Sequence, residues 1–121
     1  MPLRIKRTIT IKAVVTEELK SQLGAELQSA LAGVEADLAR LDAQIRRSEE
    51  PADVIAERRR RQGQKEQLLS RLKDLARLEL GSEITQGTLE GEAEVRLGDD
   101  WARLFAAEVV LRDGRVVALR E

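Results

Sequence analysis

The sequence predicts an α+β fold, a long antiparallel helical hairpin, coiled-coil-like, projecting from a small, mostly antiparallel β-domain formed by both termini. Three observations predict it. Leu, Val and Ile recur every three or four residues from Leu19 to Ile45, the spacing that lines one face of a helix. Pro51 interrupts that pattern and a second helical stretch follows it. Segments of strict period-two alternation lie on either side of the helical region, as half-buried strands require. The 121 residues are read as a single domain, with a strand at 3–13, helices at 16–48 and 51–79, and a β-rich base at 82–121.

In the first strand Leu3, Ile5, Ile9, Ile11 and Ala13 point one way and Arg4, Lys6, Thr8, Thr10 and Lys12 the other. Arg7 falls on the apolar side, which places a bulge or strand end near it. Thr16-Glu17-Glu18 reads as a helix start, since a threonine hydroxyl can cap an orphan N–H and first-turn acids suit the helix dipole. The apolar positions then run Leu19, Leu23, Leu27, Leu31, Val34, Leu38, Leu41 and Ile45, and from Leu31 they step three, four, three, four, a heptad seam. Pro51 cannot continue this helix but suits the first turn of the next.

The return helix carries Val54 and Ile55 near the turn and Leu68, Leu69, Leu72, Leu75 and Leu78 at its far end. Between them the chain is almost wholly polar from Glu57 to Gln67. Folding near residue 50 sets Ile45 beside Ile55 and Leu31 beside Leu69, so the seam is read as well made at both ends, but it leaves Leu38 and Leu41 in the middle facing Arg59 to Gln62. Val34, Leu38 and Leu41 therefore lack apolar partners in the chain, and a second copy is expected to supply them. Gly81 is placed as the stop of the return helix.

Beyond it, Leu89, Gly91, Ala93, Val95 and Leu97 alternate with Glu90, Glu92, Glu94 and Arg96. Gly98-Asp99-Asp100 is a turn that can cap a short helix through Trp101 and Phe105. Asp113-Gly114 between two β-branched runs predicts a hairpin with a type I′ turn. The basic face of the 3–13 strand complements the Glu-bearing face of the 89–97 strand, and the two are expected to pair. Trp101 and Phe105, the only large aromatics, are expected to anchor the small β-core.

Composition narrows the function. There is no Cys and no His, which excludes disulfides and thiolate chemistry and removes the commonest general base. Charged residues make up 36% of the chain and apolar residues 42%, with aromatics at 2%, the profile of long helices rather than of a disordered chain. No apolar run approaches the ~20 residues that cross a bilayer, and residues 1–16 lack a signal-peptide core. A cytoplasmic, non-enzymatic protein with no membrane partner, cofactor, metal or small-molecule substrate is expected.

Several segments carry a family resemblance: Ile9 to Glu17, Gly81-Ser82-Glu83-Ile84, Gly98-Asp99-Asp100-Trp101, and Asp113-Gly114 followed by Val116-Val117. On these the chain resembles the YlqD-like family of uncharacterised bacterial proteins, over its whole length. That family has no established activity or catalytic residue, so the resemblance implies no site. Some relatives are encoded near ribosome-maturation genes, from which the resemblance implies a faint lean toward RNA or ribosome work.

Two interaction sites are therefore expected. The first is self-association through Val34, Leu38 and Leu41, making the protein a homo-oligomeric scaffold or adaptor. The second is an RNA or ribosome contact through Arg58, Arg59, Arg60 and Arg61, with Arg46, Arg47 and Lys65, whose charges can displace counterions from phosphates. The competing reading of the arginines is a solvated helix face in which Glu57 pairs with Arg61. The acidic residues of the C-terminal third lack the spacing of a calcium loop and read as a strand's wet face and turn caps.

Overall fold

A computed structural model describes residues 2–47 and 52–121. The elements in order are β1 (Leu3–Val14), α1 (Glu17–Arg47), α2 (Ala52–Arg77), β2 (Glu83–Val95), α3 (Trp101–Leu104), β3 (Glu108–Arg112) and β4 (Arg115–Arg120). They divide into two compact units, the sheet with its flanking turns (up to Leu19, and Glu79–Glu121) and the paired helices (Lys20–Leu78).

The sheet has the order β2-β1-β3-β4. The expected pairing of the basic and acidic strands is present: β1 runs antiparallel to β2, with Arg4 opposite Glu94 and Lys6 opposite Glu92. Its apolar residues meet on the other face, Ile5 opposite Ala93 and Ile9 opposite Leu89. β3 and β4 form the antiparallel hairpin that Asp113-Gly114 predicts. Both turn residues have positive φ, 49° and 81°, as a type I′ turn demands. One pairing differs: β1 and β3 are parallel over Thr10–Ala13, so the sheet is mixed.

Sequence alternation located only part of β2. The strand begins at Glu83, six residues before Leu89, and the register shifts where Ile11 pairs Gly87 and Lys12 pairs Thr85. Gln86 is the extra residue of a bulge. A bulge reverses the parity of everything beyond it, so Ile84, an even-numbered position, shares a face with Leu89 and Ala93. Leu97 leaves the strand and is fully exposed.

Arg7 does not break β1. Its guanidinium donates to the Leu104 carbonyl at 3.1 Å and to Glu121 Oε1 at 2.8 Å, which tethers a charge that the strand would otherwise hold unpaired among aliphatic neighbours. Opposite it, Gly91 has no side chain; a Cβ there would stand 2.6 Å from Ile9 Cδ1. The buried apolar residues of this unit are Ala13, Val15, Ala107 and Val110, a small core for its length.

Trp101 and Phe105 are not part of that core. They are 61% and 45% exposed and pack edge-to-face on each other with ring centroids 4.9 Å apart. The helix carrying them is a single turn, held by the Asp100 carboxylate accepting from Ala102 N–H at 3.0 Å. One turn is too short to lay both rings across a sheet, and they satisfy each other instead.

α1 opens where the sequence places it. The Thr16 hydroxyl accepts from Leu19 N–H at 3.1 Å and donates to Asp113 Oδ1 at 2.6 Å. α1 and α2 lie antiparallel, because ion pairs join Asp42 to Arg58, Asp37 to Arg61 and Glu35 to Lys65. Each pair is centred on residue 49 or 50, which is the register read from the sequence. The expected turn at Ser48 to Glu50, and Pro51 with it, lie outside the described residues. α2 ends at Arg77, earlier than the Gly81 stop predicts. The Lys20 ammonium donates to the carbonyls of Ala76 and Leu78 at 3.3 and 2.9 Å, a cationic cap on the last turn. Gly81 has φ +88° and donates its N–H to the Val15 carbonyl instead.

Candidate functional site

The arginine run is largely occupied within its own unit. Arg58 Nε donates to Asp42 Oδ1 at 2.5 Å. Arg61 bonds Glu57 at 3.1 Å and stands 3.8 Å from Asp37. Arg60 pairs with Glu57 and Lys65 lies 3.6 Å from Glu35. Arg59 is exposed and makes no ion pair among the described residues. Arg46 and Arg47 occupy the last turn of α1, where Arg47 donates to the Ala43 carbonyl and cations suit the helix dipole.

These pairings change the account of what covers Val34, Leu38 and Leu41 within the chain. The hairpin register sets Arg58 opposite Leu41, Arg61 opposite Leu38 and Lys65 opposite Val34. The three basic residues thus continue the α2 seam between Val54 and Leu68 at steps of three and four. Leu38 and Leu41 are only 6% and 5% exposed in a single chain, and Val34 is half-buried. Long basic side chains lay their methylenes over apolar neighbours while their heads reach carboxylates beyond. The middle of the seam is closed by its own chain.

A half-buried apolar region of the hairpin lies elsewhere. Toward the end of the hairpin away from residue 50, a groove of about 390 Å³ runs between α1 and α2. Leu23, Leu27 and Ala30 form one wall and Leu68, Leu75 and Leu78 the other. Its rim carries Glu26, Arg71 and Asp74. Gly24 adjoins the same seam, since a Cβ there would be in van der Waals contact with Leu75 Cδ2. Sequence reading counted these leucines as a closed seam. The signal it passed over is that α2 repeats at 68, 71, 75 and 78, a stripe in which Arg71 interrupts the leucines.

On the sheet, Leu3, Leu89, Val116 and Leu119 are between 49% and 75% exposed. They project on the face shared with Ile5, Ile9 and Val109. The opposite face holds an ionic cluster in which Arg120 binds Glu83 through two bonds of 2.6 and 2.8 Å and Lys12 meets Glu108 at 3.1 Å. The Arg120 hydrogen bond holds the Glu83 carboxyl below its ordinary range, and Glu83 in turn raises Arg120. No group of three or more metal-ligating side chains occurs among the described residues.

Two long antiparallel helices and a four-stranded mixed sheet define a small α+β protein, and no described helix is long and apolar enough to cross a membrane. The chain belongs to the YlqD protein family, whose model matches residues 3–120. It is also similar to a crystallised protein of unknown function from Synechococcus sp. WH 8102, with 29% identity and a TM-score of 0.76. That likeness covers 100% of this chain and 96% of the other. No curated protein matches the chain.

Proposed function

We propose that the chain is a non-enzymatic cytoplasmic interaction protein, a self-associating scaffold or adaptor that works through its coiled-coil-like hairpin. The observation that carries this reading is the groove lined by Leu23, Leu27, Ala30, Leu68, Leu75 and Leu78, whose leucines other than the buried Leu75 are only half-covered by the hairpin while its charged middle seam is closed. A half-buried apolar groove rimmed by charge is a surface that a partner can cover. The lack of His and Cys supports the non-enzymatic part. Light scattering across micromolar concentrations tests it, with a rise in mass expected and a constant single-chain mass overturning it.

An RNA- or ribosome-associated role is the second reading, favoured only by Arg59 and by the basic last turn of α1, Arg46 and Arg47. The ion pairs on Arg58, Arg60, Arg61 and Lys65 count against it, because each phosphate contact there would have to displace a carboxylate. Anisotropy of a labelled single-stranded RNA oligonucleotide separates the readings. Salt-sensitive binding lost in R59Q/R60Q would favour RNA; no binding at low salt would remove it.

A further inference from the structure

The charges around the hairpin fall into two sets. In the middle of the seam, Asp42, Asp37 and Glu35 each have a basic partner on α2. At the groove, Glu26 on α1 and Arg71 and Asp74 on α2 stand at the rim, yet none of the three makes an ion pair among the described residues. The rim therefore presents an acid, Glu26, from one helix and a base with a further acid, Arg71 and Asp74, from the other, flanking apolar walls, with none of the three ion-paired among the described residues.

We propose that the groove is the contact surface for a second copy of this chain, the two hairpins packing groove to groove about a two-fold axis. The proposal rests on the self-association reading and names its surface. A two-fold contact is isologous: if residue i of one copy meets j of the other, then j meets i. Glu26 and Arg71 lie on opposite sides of the apolar strip, and such a pair satisfies itself under that operation. Glu26 of each copy meets Arg71 of the other, an arginine that Asp74, three residues further along the same helix face, also flanks. A foreign helix would need its own matching charges, whereas a second copy brings them by construction. The leucines of each wall fill the opposing groove, and Ala30, the smallest wall residue, lets the partner's helix approach. Four helices in two antiparallel pairs around one apolar centre are a standard bundle arrangement.

The test is sedimentation equilibrium of the intact chain and of E26R, R71E and E26R/R71E at low salt. Far-UV circular dichroism and thermal melts on each establish that the hairpin is folded. Each single reversal puts like charges together and is expected to weaken association by about tenfold or more. The double reversal restores opposite signs and is expected to return association to near the wild-type value. A wild-type chain that is monomeric overturns both this proposal and the self-association reading. A wild-type dimer unaffected by the single reversals overturns the groove alone and leaves self-association to another surface, such as the sheet face bearing Leu89 and Leu119. Single reversals that weaken without rescue in the double variant overturn the Glu26–Arg71 contact.

Discussion

At the scale of single residues, Trp101 and Glu83 show how local context decides a side chain's part. The ring of Trp101 is 61% exposed and leans on Phe105 rather than on the sheet. Trp101→Ala is expected to lower stability by under about 1 kcal/mol in denaturant titration, against the about 3–5 kcal/mol of a core aromatic; a loss in the latter range would return it to the core. Glu83 bears on acid stability. Its carboxyl is held below the ordinary value of 4.5, chiefly by the Arg120 hydrogen bond. A folded-state pKa below the unfolded one gives stability that is complete above the unfolded value and is lost as pH falls through the folded one. Melting temperatures of Glu83→Gln should therefore depend less steeply on pH on the acid side than those of the wild type, and superimposable profiles would show that the exposed pair contributes nothing.

At the scale of elements, what could be read in the sequence followed from strong local chemistry. Thr16 caps α1, Asp113-Gly114 turns β3 into β4, and the hairpin register about residue 50 is that of its ion pairs. What could not be read depended on parity and reach. The bulge at Gln86 reverses the alternation of β2, so the segment from Glu83 gave no continuous period-two signal. The polar middle of α2 was legible as a gap in the seam, but a count of residue types takes Arg58, Arg61 and Lys65 as charges and overlooks their aliphatic stems. Those stems make Leu38 a core residue. Leu38→Ala is expected to cost about 2–5 kcal/mol in chemical denaturation. Arg61→Leu, which keeps the cover and removes two partly exposed ion pairs whose acids, Asp37 and Glu57, retain Arg40 and Arg60, should leave the melting temperature unchanged or raise it. The reverse order of effects would mean that the ion pairs, not the buried leucines, hold the middle of the hairpin.

At the scale of the whole molecule, the candidate site was the least legible feature. Sequence periodicity assigns a leucine to a face but does not say whether two facing leucines touch, so Leu23, Leu27, Leu68 and Leu75 read as a closed seam although a groove opens among them. The same limit hid the contrast between paired charges at the seam and unneutralised ones at Glu26 and Arg71. That contrast is a property of distances between helices, and it turns a general expectation of oligomerisation into one surface. The measurement that bears on it most directly is the mass of the wild-type chain by sedimentation equilibrium over a micromolar concentration series. Association through the groove predicts a shift from the 13.5 kDa of one chain to twice that mass as concentration rises. A mass that stays at the single-chain value throughout would contradict it.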